Sequence, residues 1–226
     1  MVLNTKIITV DGPSGVGKGT ICQMLAEHFG LQLLDSGALY RITALAAQNR
    51  HVDFSNSQAV ADIARNLDVH FNTLPGQGVE VMLDGVNVSK QIRTEKAGNA
   101  ASIVAAIPEV REALLQRQRD FAMMPGVVAD GRDMGTTVFP NADVKLFLTA
   151  SAEIRAQRRY KQLKQKGISA SLRDLVEEIA ERDERDSNRS ASPCKSADDA
   201  VIIDTSDLSI DEVFSKAQSI CSVSFR

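Results

Sequence analysis

The sequence predicts an α/β protein: a five-stranded parallel sheet with an inserted antiparallel β-meander and a charged helical lid. Three observations predict it. The apolar run Lys6 to Asp11 passes into a glycine-rich stretch and then into apolar residues at helical spacing. Short apolar runs recur between helical patterns, as in a βαβ series. From Leu67 to about Arg93 the apolar period changes to two, which such a series does not accommodate.

The first strand delivers Gly12, Pro13, Ser14, Gly15, Val16, Gly17, Lys18, Gly19 and Thr20. Glycines allow successive N–H groups to converge on a polyphosphate, the next helix points its positive end there, and Lys18 adds a cation. Strand, loop and helix in register make this a phosphate-binding loop of the nucleoside-triphosphate kind. The residue after the lysine, normally the Ser or Thr that holds magnesium, is Gly19, and the hydroxyl comes one place later at Thr20. No protein group is therefore assigned to a metal.

Ile21, Met24, Leu25 and Phe29 give the following helix its buried side, and Gly30 closes it. Leu31 to Leu34 reads as a second strand ending in Asp35-Ser36-Gly37, before a helix with Leu39, Ile42 and Leu45. Tyr40 and Arg41 lie near that helix's first turn, where an anion is favoured. Arg41 alone also fits a solvated cation.

Val69 and Phe71, then Val79, Val81 and Leu83, then Val86 and Val88 mark the meander, with turns at Pro75-Gly76-Gln77-Gly78 and Asp84-Gly85. Thr94 caps a helix through Ile107, and Pro108 starts another running to Met123. Arg111 on that helix, taken alone, fits a solvated face. Val127 to Ala129 is a third strand with Asp130-Gly131-Arg132-Asp133 at its carboxyl end, the edge where α/β sheets bind ligands. Val144 to Thr149 and Val201 to Ile203 are the fourth and fifth. Between these two, Ser151 to Asn188 forms two charged helical patterns separated by Gly167. Arg155, Arg158 and Arg159 share one helical face and are expected to converge, as are Arg182, Arg185, Asp186 and Arg189. A salt-bridged solvated helix pair is the plainer reading of this stretch alone. Ser209 and Glu212 have capping-box spacing, with Val213, Ala217 and Ile220 on a buried side.

Composition sets bounds. Charged residues are 24% of 226, with a formal net charge of −3, so a general nucleic-acid binder is not expected. The three cysteines, Cys22, Cys194 and Cys221, are far apart and suit a reducing cytosol. No signal-peptide pattern and no apolar run near ~20 residues is present, so a cytoplasmic protein without membrane contact is expected. The three histidines stand apart from candidate catalytic groups, which argues against histidine chemistry.

Four segments together resemble the bacterial cytidylate kinases, within the nucleoside monophosphate kinase group of P-loop proteins. They are Asp11 to Thr20, Leu34 to Arg41, Ala129 to Thr136, and Arg182 to Arg189, within a similarity from about Ile7 to Ile220. The resemblance implies one kinase domain, 1–226, with core 1–66, 94–150 and 190–226, an inserted monophosphate-binding subdomain 67–93 and a lid 151–189. It implies phosphoryl transfer from ATP, with Mg²⁺, to CMP and dCMP in pyrimidine metabolism, by a monomer. Residues 12–20 would hold ATP. Ser36, Arg41 and Arg132 would hold the CMP phosphate; Ser102, Arg111 and Asp133 would read cytosine. Tyr40, Arg182, Asp186 and Arg189 would contact the ribose and phosphate side. Lys18, Arg132, Arg182 and the unranked Arg155, Arg158 and Arg159 would stabilise the transferring phosphoryl group. Mg²⁺ would sit mainly on phosphates and water.

The nearest rival is another small phosphotransferase, of the UMP, AMP or shikimate kinase type. The meander and the Arg132-Asp133 pair argue against it. A regulatory NTP-binding switch is disfavoured because no Asp-x-x-Gly or Asn-Lys-x-Asp signature occurs.

Overall fold

The computed structural model describes residues 5–74, 78–165 and 167–225. Their contacts divide the chain into two compact units, Met1–Asp35 with Gln118–Arg226, and Ser36–Arg117.

The first unit holds the parallel sheet. Its strands are β1 (Lys6–Asp11), β2 (Gln32–Asp35), β6 (Gly126–Asp130), β7 (Val144–Thr149) and β8 (Val201–Asp204), in the order β2-β6-β1-β7-β8. β1 is central, pairing in parallel with β6 through Ile8↔Val128 and with β7 through Val10↔Leu146. Ile8, Val10, Val127, Val128 and Ala129 are fully buried, as a sheet covered on both faces requires. The helix α1 (Lys18–Phe29) supplies Ile21, Cys22, Leu25 and Ala26 to the core, and α8 (Ile210–Ser224) supplies Val213, Ala217 and Cys221.

Local chemistry sets the boundaries. Gly30 takes φ +64°, and Leu31 spends its N–H on the Ala26 carbonyl at 2.9 Å. Leu31 thus finishes the cap of α1, so β2 begins one residue later than the apolar run suggests. The Ser209–Glu212 capping box forms as expected. The charged stretch folds as α6 (Ala152–Gln165) and α7 (Leu172–Asn188), packed on each other, with Gly167 at φ +70° between them.

The second unit contains α2 (Ser36–Asn49), α3 (Ser57–Arg65), the antiparallel strands β3 (Val69–Leu74), β4 (Gly78–Leu83) and β5 (Val86–Asn87), and α4 (Glu95–Val104). It is wider than the insertion 67–93, because α2 packs on both α3 and α4. Asp84 and Gly85 take φ +49° and +76°, the two-residue turn that their types favour. The turn expected at Pro75-Gly76-Gln77-Gly78 lies largely outside the described residues. Thr94 caps α4 by accepting from Ala97 N. The helix α5 (Pro108–Arg119) runs from this unit into the first. α4 and α5 end short of Ile107 and Met123; Ile107 stands directly ahead of Pro108, which disfavours helix at that residue.

Candidate active site

In the first unit, Gly12, Gly15 and Gly17 all take left-handed backbone angles, φ +140°, +81° and +95°. At Gly12 a Cβ would lie 2.0 Å from the Leu148 carbonyl oxygen, so only glycine lets the loop cross β7 there. Lys18 is buried, and its Nζ donates to the Gly12 and Pro13 carbonyls at 2.8 Å each. Burial first, then the Arg132 charge, pulls the Lys18 ammonium down to about 8, against an opposing Asp130.

Asp130 itself stands close to the loop. A Cβ on Gly19 would lie 3.5 Å from Asp130 Oδ2, and Asp130 is in register with Asp35 on the neighbouring strand. Asp130 therefore borders the first turn of α1, with Asp35 next to it in the sheet. No cluster of three His, Cys, Asp or Glu suited to a metal occurs among the described residues. That donor set fits a magnesium ion held by phosphates and water with one or two carboxylates, rather than one caged by protein.

The turn after β6 meets the end of α7. Arg132 Nε donates to Asp186 Oδ2 at 3.0 Å, and Arg189 Nη2 lies 4.0 Å from Asp133 Oδ1. Burial would raise the Asp186 carboxyl, but Arg132, Arg182 and Arg189 hold it below the usual range. Burial would likewise lower Arg132, but Asp186, with Cys194 and Asp130, holds its guanidinium above the usual range. The structure thus gathers Arg132, Asp133, Arg182, Asp186 and Arg189, whereas Arg185, expected on the same helical face, pairs with Glu181 at 3.9 Å.

The lid arginines do not converge as their helical spacing suggests. Arg155 is 4% exposed; it donates to the Ala150, Ser151 and Ser14 carbonyls and pairs with Asp183 through both Nη atoms. Arg158 donates to Thr205 Oγ1 and to the Thr205 and Ser206 carbonyls. Arg159 Nη1 donates to Gln162 Oε1 at 3.3 Å. A guanidinium carries five donors, and nearby carbonyls, the Asp183 carboxylate and the Thr205 hydroxyl engage those of the first two.

Sequence reasoning missed two anchors here. Asp183 is one of several acids in the charged stretch, and its pairing with Arg155 spans 28 positions. Asp11 is buried and accepts from Met134 N and Gly135 N at 2.8 Å each. Burial pushes its carboxyl up to about 7, against the pull of those two amides. An acid closing an otherwise apolar central strand was the available signal.

In the second unit, Ser36, Tyr40, Ser102 and Arg111 are buried. The Arg111 guanidinium lies 5.4 Å from the Tyr40 ring centroid and donates from Nη1 to the Ala105 carbonyl at 3.1 Å. Arg41 Nη1 donates to the Ile92 carbonyl at 2.7 Å. Both cations are oriented by carbonyls and, for Arg111, by an aromatic face.

A strand, a phosphate loop and a helix at the carboxyl edge of a parallel sheet, with arginines beside them, define a nucleotide-binding phosphotransferase of the P-loop class. The cytidylate kinase family model matches residues 8–222. A cytidylate kinase of Shewanella denitrificans is 57% identical over 213 residues, covering 94% of each chain. One from Pasteurella multocida is 58% identical over 217 residues, covering 96% of this chain and 95% of the other. Among solved structures, an uncharacterized protein from Eubacterium ventriosum superposes with a TM-score of 0.52 at 10% identity, covering 97% of this chain and 99% of that one. That last likeness is one of fold alone. The chain belongs to the cytidylate kinase family.

Proposed function

We propose that this chain transfers the γ-phosphoryl group of ATP to CMP and dCMP, yielding ADP and the diphosphate. The observation that carries the reading is the family match over residues 8–222, which contains the phosphate loop, the Arg132-Asp133 turn and the end of α7.

The chemistry asks for alignment and charge cancellation. The acceptor phosphate loses its second proton near pH ~6, so its oxygen is already nucleophilic and no general base is needed. The loop amides and Lys18 hold the donor phosphates. Ser36, Arg41 and Arg132 hold the CMP phosphate, and Tyr40, Arg182, Asp186 and Arg189 serve its ribose and phosphate side. Ser102, Arg111 and Asp133 read the base. Cytosine offers an exocyclic amine that a carboxylate accepts, whereas uracil presents a carbonyl that it repels.

Mg²⁺ bound with ATP supplies positive charge to the phosphate oxygens, and Asp130 with Thr20 would hold it or its waters. Arg155 serves the loop through the Ser14 carbonyl, and Arg158 braces the Thr205 turn. Arg159 and Arg182 are assigned to the charge that develops on the group in flight. The free, buried Cys22 and Cys221 support a reducing cytoplasm, and the near-balanced charge supports small nucleotides as partners rather than nucleic acid. We further read the chain as a monomer. Chromatography of a reaction with Mg-ATP and CMP tests the reading: CDP and ADP are expected in equal amounts, and ADP formed without CDP would overturn it.

A further inference from the structure

We infer that Asp11 is a positioning residue for the transfer, fixing the turn that carries Arg132 and Asp133 to the strand that carries the phosphate loop. The inference rests on the reading that this turn holds CMP. Asp11 is the last residue of β1, and Gly12 follows it by one peptide bond. Its Oδ1 accepts from Met134 N and its Oδ2 from Gly135 N, both at 2.8 Å, so both oxygens are engaged on one side. Those amides open the π-helical turn Met134–Val138, whose N-cap is Asp133. The Asp133 carbonyl accepts from Thr137 N at 2.9 Å and Val138 N at 3.2 Å, which winds the turn tightly behind it.

The turn also lies directly on β1. Gly131 N donates to the Val10 carbonyl at 3.1 Å, and a Cβ on Gly135 would lie 2.9 Å from Thr9 Oγ1. One side chain therefore joins two segments assigned to opposite reactants, covalently to the donor loop and by two hydrogen bonds to the acceptor turn. In-line transfer is sensitive to such placement, since a shift of about 1 Å costs on the order of 10²-fold in rate. An asparagine at this site has one acceptor oxygen and sets its NH₂ against the remaining backbone N–H, leaving buried donors opposed.

The test compares the full chain with Asp11→Asn and Asp11→Glu. The second keeps the charge and both oxygens but displaces them by one methylene, so it decides the matter if the asparagine variant fails to fold. Thermal melting, affinity for AMP-PNP, and kcat and KM for CMP are measured for each. The expected result is a folded variant that binds AMP-PNP within about threefold of the parent but loses about 10- to 100-fold in kcat/KM for CMP. A lower melting temperature with kcat/KM for CMP unchanged would make Asp11 a fold anchor only and overturn the inference. An AMP-PNP loss as large as the CMP loss would assign it to the donor loop and overturn it equally. If the parent itself fails to phosphorylate CMP, the kinase reading falls; if the parent turns over and the variants match it, only this inference falls.

Discussion

Lys18 is a buried cation whose proton is held less firmly than on an exposed lysine. Burial, and then Arg132, bring it to about 8, so its charge leaves as pH rises through that value. Bound phosphates would pull the other way and raise it again. KM for ATP is therefore expected to climb between pH 7 and 9, and ATP binding at pH 8 should take up protons, seen as a binding enthalpy that varies with buffer ionisation. Because the folded chain holds Lys18 at about 8 and the unfolded chain at 10.5, the folded state binds fewer protons in that window; this group alone makes stability rise with pH there. Replacing the lysine outright, Lys18→Ala, is expected to lower turnover by about 10²-fold or more, with wild-type turnover contradicting its role. On the proposed reading, Asp133 governs selectivity instead. Asp133→Ala should lower the ratio of CMP to UMP turnover by about tenfold, the loss of one base-reading contact, and an unchanged ratio would remove it from base recognition.

At the scale of elements, Arg155 and Asp183 tie α6 to α7 and both to the phosphate loop, with side-chain exposures of 4% and 26%. Removing one partner of so buried a pair costs about 3 kcal/mol. Asp183→Asn should therefore melt several degrees lower and weaken ATP binding through Ser14, whereas loss of stability with ATP affinity intact would confine the pair to the lid. The strands were legible because buried parallel strands are short apolar runs. Gly30, Asp84-Gly85 and the Ser209 box were legible because their types answer to local backbone angles. α3 was passed over: it has only 9 residues, and its apolar Val60, Ala61, Ile63 and Ala64 sit in a stretch rich in Asn, Ser and Asp. The partners of Arg155 and Arg158 were not legible, since they lie up to 141 positions away and depend on tertiary packing. Asp186 and Arg132 could be chosen as site residues, but not as partners of each other across 54 positions.

For the whole molecule, each unit brings a self-consistent set of groups. One carries the phosphate loop, the Arg132-Asp133 turn and the end of α7; the other carries Ser36, Tyr40, Arg41, Ser102 and Arg111, two of them cations fixed by carbonyls. None of these groups needs to shuttle a proton, which suits an acceptor already ionised near neutral pH. The most direct test is ADP release by the purified chain with Mg-ATP and CMP, dCMP, UMP, AMP or shikimate in parallel. The account predicts that CMP and dCMP have the highest kcat/KM, with UMP, AMP and shikimate well below; a higher kcat/KM for UMP, AMP or shikimate than for CMP would contradict it.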